Sequence, residues 1–235
     1  MPLHVEQFRY GHDNLGYLVF GPSEAMAVDG GAWQEILEFA GRHGLTLRYV
    51  THTHRHSDHV EGSDELLERS GARLLGFEDL HDGSAIALDG EPVHVYRTPG
   101  HSIDSVCFHA GRYLLTGDTL FTGTIGNCFS GNLRAFYESV RRLMALPEDT
   151  VVFPGHDYME LAIAFARHLE PDNRDLDAYS DSHEPDCVRS LLRDELRVNP
   201  YMRFNDPGIV AILKKRGLPV DSEWERWQSL MAIEE

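Results

Sequence analysis

Seven side chains able to bind metal ions lie along this 235-residue chain in a spacing suited to a two-metal hydrolytic centre. The string His54-Arg55-His56-Ser57-Asp58-His59 reads His-x-His-x-Asp-His, and His101, Asp118 and His156 follow singly, each directly after a glycine. Five imidazoles and two carboxylates, with no thiolate among them, suit borderline divalent ions such as zinc, iron or manganese. A structural zinc site would more often use cysteine and close at four ligands. This set is too large for one tetrahedral ion and matches two ions that keep an open position. In an extended segment alternate side chains share a face, so His54 and His56 are expected to grip the same ion. Asp58 and His59 follow as the chain turns, facing a second ion, and Asp118 is expected to bridge the two. Such a pair holds a hydroxide of near-neutral pKa and polarises a carbonyl, so no protein nucleophile is required. A register beginning at His52 would place His56 where an aspartate is needed, so His52 is expected to pack beside the site.

The elements that must position these residues can be read from periodicity. Strands are expected at Leu15 to Phe20, Met26 to Asp29, Leu45 to Thr51, Val93 to Arg97, Val106 to Ala110, Tyr113 to Gly117 and Thr150 to Phe153, with Gly111-Arg112 as a hairpin turn. Trp33, Ile36, Leu37 and Ala40 mark one face of a helix that Gly41 and Gly44 should stop. A second helix runs through Phe136, Val140, Leu143 and Met144. After Pro154 the strand signal disappears, and helices are expected at Met159 to Leu169, around Val188, Leu191 and Leu192, at Ile209 to Arg216, and through Trp224, Trp227 and Leu230. The candidate ligands follow strand ends, where the loops of an α/β sandwich can bring polar groups together above a rigid support. A border near residue 160 would divide a metal-binding domain, 1–160, from a C-terminal helical region, 161–235, that binds substrate and packs on the first.

Composition narrows the function further. Lys and Arg number 21 against 38 Asp and Glu, a formal net charge of −17, which argues against nucleic acid or an anionic membrane as partner. No apolar run resembles a membrane span, and the start Met1-Pro2-Leu3 lacks the basic and apolar regions of a signal peptide. Cys107, Cys128 and Cys187 are odd in number and far apart, so no disulfide framework is expected and a cytoplasmic location is the default. Lys214-Lys215-Arg216 sit at a predicted helix C-terminus, where positive charge is favourable without any ligand.

The seven residues match the signature of the metallo-β-lactamase superfamily, which the chain resembles. That resemblance implies a four-layer αβ/βα sandwich with the metals at one edge. It also implies that His54, His56 and His101 bind one ion and Asp58, His59 and His156 the other, with Asp118 between. Within the superfamily the second half is similar to glyoxalase II, the hydroxyacylglutathione hydrolase. The likeness is carried by Gly155-His156-Asp157-Tyr158, by Phe165 through Asn173, and by Asn199-Pro200-Tyr201-Met202-Arg203. It implies a cytoplasmic zinc hydrolase that cleaves a small acyl-thiol thioester, such as S-lactoylglutathione, by a metal-bridging hydroxide that Asp58 orients. Tyr158 matches a substrate-site tyrosine of that family. Asn127 and Phe129 stand where it usually has a lysine and a tyrosine that hold glutathione, so these three positions are the expected substrate contacts and the thiol carrier stays open.

Two other readings compete. A persulfide dioxygenase of the same superfamily would use a single iron on His54, His101 and Asp118, but that branch typically carries Arg-Thr-Asp where this chain has Asn127-Cys128-Phe129. A non-catalytic metal-binding module on this fold would be expected to have lost ligands, and this chain retains all seven.

Overall fold

The computed structural model describes residues 2–233; Met1, Glu234 and Glu235 lie outside the described residues, and with them the ends of the two expected domains. The first half builds a five-stranded sheet from β1 (His4–Tyr10), β2 (Asn14–Phe20), β3 (Glu24–Val28), β4 (Thr46–Thr51) and β5 (Arg73–Leu75), arranged in that order. Helix α1 (Trp33–His43) makes the crossover from β3 to the parallel β4, and α2 (Ser57–Val60) and α3 (Ser63–Ser70) make the crossover from β4 to β5. The second sheet takes β6 (Ala85–Leu88), β7 (Glu91–Arg97), β8 (Val106–Ala110), β9 (Tyr113–Gly117), β10 (Val151–Pro154) and β11 (Ser190–Leu191), in the order β11-β10-β9-β8-β7-β6. Helix α4 (Leu133–Met144) connects β9 to the parallel β10. Then follow α5 (Met159–Leu169), α6 (Asp175–Asp181), α7 (Leu192–Val198), α8 (Pro207–Lys215) and α9 (Glu223–Met231).

The layers follow from which faces are apolar. Tyr17, Val19, Met26 and Val28 of the first sheet pack against Val93, Val95, Val106, Phe108 and Leu115 of the second, making the core between the sheets. Alternation along each strand sends Leu18, Ala25 and Ala27 to the other face, against Ile36 of α1 and Leu66 of α3. On the outer face of the second sheet, Leu114 and Val152 meet Phe136, Val140 and Leu143 of α4, and the same cluster continues into Leu192, Leu213 and Trp227 of the C-terminal helices. Two sheets flanked by helices, with a helical C-terminal region, form the expected α/β sandwich.

Several expectations need correction. Gly41 lies inside α1; the helix stops at Gly44 alone, which takes the left-handed conformation at φ 64°. Strand signal does not end at Pro154, because β11 pairs antiparallel with β10 through Val151↔Leu191 and Val152↔Ser190. The helix expected around Val188 and Leu191 therefore begins only at Leu192, and Val188 belongs to the core between the sheets. No membrane-crossing helix occurs among the described residues, and their three cysteines are unpaired.

Candidate metal centre

Four chain segments deliver the seven predicted residues to one edge of the sandwich. His54, His56, Asp58 and His59 follow β4 of the first sheet, the last two on α2. His101 sits in the β7–β8 connection, Asp118 directly after β9, and His156 after β10. Their ligand atoms fall into three groups, each within 4.8 Å: His54, His56 and His101; His54, His59 and Asp118; Asp58, His59 and His156. Asp118 lies between the outer two, with Oδ2 3.4 Å from His101 Nε2 and 3.6 Å from His156 Nε2, and Oδ1 3.3 Å from His59 Nε2. Gly155 permits this approach: a Cβ there would stand 2.3 Å from Asp118 Oδ1.

The nitrogen atoms facing away from the centre reveal which ones face it with lone pairs. His59 Nδ1 donates to the fully buried Asp29 carboxylate at 3.0 Å, His101 Nδ1 to the Asn127 carbonyl at 3.0 Å, and His156 Nδ1 to Asp13 at 3.0 Å. Thr53 Oγ1 gives its own proton to Asp29 at 2.7 Å, so it accepts from His54 Nδ1 at 3.2 Å. When neutral, rings anchored this way carry no proton on Nε2. Yet His59 Nε2 and His156 Nε2 are 3.1 Å apart, and His56 Nδ1 lies 2.9 Å from His54 Nε2 and 3.1 Å from His101 Nε2. Such close nitrogens call for positive charge among them, as a metal ion or as the proton that Asp29 and Asp118 favour on His59. Asp118 Oδ1, buried without a hydrogen-bond partner, points into the same space.

The electrostatics agree. Burial would depress the His59 imidazole, yet Asp29 and Asp118 hold its pKa well above the ordinary histidine value: the site draws positive charge to this point. Burial would raise the Asp118 carboxyl, but His59 and the neighbouring imidazoles keep it far below the usual range, so it remains an anionic acceptor. His54, with no carboxylate so close, is pushed down to about 4 by burial and by His59, and stays neutral. The donor set and its charge fit a divalent cation.

Of the expected substrate contacts, Tyr158 stacks on the His156 ring at 5.1 Å and packs edge-on to Phe121, and burial with the nearby Asp13 raises its hydroxyl to about 12. Phe129 is 69% exposed with its ring 5.2 Å from His101, a free apolar face at the rim. The Asn127 side chain is exposed, while its carbonyl orients His101. His52 belongs to none of the three groups and bonds Ser63 at 2.7 Å.

Sequence reading missed the N-terminal hairpin. The β1–β2 turn supplies Asp13 to His156, Asn14 Nδ2 donates to Asp58 Oδ2 at 2.9 Å, and the Tyr10 hydroxyl donates to the Asp58 carbonyl at 2.8 Å. Main-chain bonds Leu15 N to Gly155 O and Asp157 N to Asp13 O, 2.9 and 3.1 Å, stitch that turn to the His156 segment. The helical region holds the opposite loop. Fully buried Glu195 of α7 accepts the Gly123 N–H at 3.0 Å and the Tyr179 hydroxyl, and Asn199 donates to the Thr124 carbonyl at 3.0 Å. Residues 118–127 thus run clamped between Asp118 and the carbonyl that orients His101.

Residues 11–81 and 72–156 match the metallo-beta-lactamase superfamily, and residues 157–232 match the hydroxyacylglutathione hydrolase C-terminus. The chain is 33% identical over 216 residues to a hydroxyacylglutathione hydrolase of Chromohalobacter salexigens, covering 83% of each chain. It is 31% identical over 227 residues to one of Pseudoalteromonas translucida, covering 90% of this chain and 88% of the other. Among solved structures, ETHE1 from Myxococcus xanthus superposes with a TM-score of 0.68 at 24% identity, over 97% of this chain and 100% of that one, a likeness of fold. The chain belongs to the metallo-beta-lactamase superfamily and, within it, is a glyoxalase II-like hydrolase.

Proposed function

We propose that this protein hydrolyses the thioester of a small acyl-thiol at a centre of two divalent metal ions. His54, His56 and His101 would hold one ion, Asp58, His59 and His156 the other, and Asp118 would stand between them. The observation that carries this reading is the inward set of ring nitrogens, with His54, His59, His101 and His156 each fixed from behind by a named acceptor. Charge supports the number of ions: four positive charges would meet four carboxylates, Asp118, Asp58, Asp29 and Asp13. The ligands, all nitrogen and oxygen, suit zinc, with iron and manganese as alternatives. When bound, such ions supply a water of lowered pKa and an electrophilic contact for the thioester carbonyl.

The remaining work falls to the chain. Burial would raise the Asp58 carboxyl, but the Asn14 amide and His59 keep it lowered and anionic, ready to orient the attacking water by accepting a hydrogen bond from it. Phe129 and Tyr158 offer apolar faces on either side of the histidines for the acyl or thiol portion. The departing thiol, with a pKa of about 8.5, leaves as thiolate with little need of a general acid. We place the border between metal-binding and substrate-binding parts near residue 160, where Tyr158 gives way to α5.

The test is a hydrolysis screen on metal-analysed protein, comparing S-lactoylglutathione with acyl thioesters of other small thiols. We expect about two metal ions per chain and turnover of at least one thioester, with Asp58→Ala losing both metal and activity. Metal-replete protein inert toward the whole panel would refute the proposal.

A further inference from the structure

The two halves of the metal centre are built differently. His54 and His101, in the first group, take their anchors from Thr53 and the Asn127 carbonyl, on the segments that follow β4 and β9. In the group of Asp58, His59 and His156, two of the three residues are held by the turn between β1 and β2. Asp13 Oδ1 accepts from His156 Nδ1 at 3.0 Å, and Asn14 pairs with His156 through the main chain. Asn14 Nδ2 donates at 2.9 Å to Asp58 Oδ2, the oxygen that lies 3.4 Å from His156 Nε2 and 3.6 Å from His59 Nε2. Among the described residues, no hydrogen bond joins Tyr10 through Leu15 to His54, His56 or His101.

Asp58 is the ligand that most needs such a hold. Its side chain is 43% exposed, whereas those of His54, His59, His101, Asp118 and His156 are at most 9% exposed. A carboxylate open to water keeps its rotamer freedom unless a bond removes it. Asn14, itself buried, supplies that bond, and the Tyr10 hydroxyl fixes the Asp58 main chain at 2.8 Å. Gly11 makes room for the donor: at φ 59° it turns the chain, and a Cβ there would stand 3.0 Å from Asn14 Oδ1. We propose that the turn from Gly11 to Asn14 decides whether the second ion is held, with Asp13 and Asn14 as positioning residues for that ion alone. Without these two side chains the first group and Asp118 keep their surroundings, and the centre holds one ion. This role presupposes the two-ion centre proposed above; it does not depend on which thioester is cleaved.

The experiment titrates the metal-free full chain with cobalt(II), read by calorimetry and visible absorption, for wild type, Asn14→Ala and Asp13→Ala. Wild type should take up two equivalents. Each variant should bind the first within about threefold of wild type and the second about 10–100-fold more weakly, as expected when a ligand loses the hydrogen bond that orients it. Asp13→Asn, whose amide oxygen can still accept from His156, should recover most of that loss. A variant that merely loosens the fold would weaken both ions by the same factor. That result overturns the proposal, as do unchanged affinities in both alanine variants. Amide hydrogen exchange tests the same link without substitution, because coupling between ion and turn is reciprocal. The N–H groups of Leu15 and Asp157, bonded to Gly155 and Asp13, should exchange more slowly after the second equivalent and not after the first. Slowing after the first equivalent, or after neither, overturns the role of the turn. A wild type that binds a single ion would refute the two-ion centre itself, whereas turnover of no thioester would refute the substrate class and leave the titration to decide the turn.

Discussion

Replacing Asp29 by asparagine would keep the side chain's size and remove its charge. The new amide can donate to His59 Nδ1, which favours the ring tautomer with its proton on Nε2, where a metal ion must bind. We expect metal affinity to fall roughly 10–100-fold with little change in fold, as read by competitive chelator titration beside a thermal melt. Unchanged affinity would show that the His59 tautomer is set elsewhere. The ligands themselves were legible in the sequence because four of them fall within six residues and the other three each follow a glycine. Their anchors were not. Asp13 meets His156 across 143 positions and Asn14 meets Asp58 across 44, pairings that no local pattern announces. Asp29 was visible only as the end of an expected strand; its carboxylate acquires meaning once β3 and β4 lie side by side.

At the scale of elements, strands with strong apolar periodicity were readable to within a few residues, including the Gly111-Arg112 hairpin between β8 and β9. Strand β1 was missed because it is an edge strand with no fully buried residue and with Val5 and Phe8 set among polar side chains, and β11 because two residues carry no periodicity. Helix α7 owes its place to Glu195 as well as to apolar packing, and this gives a pH test. Burial raises the Glu195 pKa although Tyr179, Asn199 and Gly123 donate to it. A carboxyl whose folded pKa exceeds its unfolded value contributes stability below the unfolded value and loses it as pH rises through the folded one. Glu195→Gln, which does not ionise, should therefore gain stability relative to wild type as pH climbs through that window. Urea midpoints of both proteins, measured from pH 4 upward, check the sign; parallel curves would mean that Glu195 does not titrate differently in the two states.

For the whole molecule, the ligands arise from both sheets, so bound metal ties the two layers together at one edge. Since unfolded chain cannot present the triads, metal at a thousandfold excess over its dissociation constant should stabilise the fold by about 4 kcal/mol per site. Chelation should lower the melting temperature and re-addition restore it; identical melts with and without metal would contradict the assigned centre. The acidic surface and helical C-terminal region were readable from composition and period. The hairpin turn at Gly11 to Asp13 has a consequence for biogenesis. It is synthesised well before its partner His156, which follows 143 positions later. Throughout that interval Asp13 waits without its partner in the centre, so closure of the centre, and with it full loading of the ions, must follow synthesis of His156.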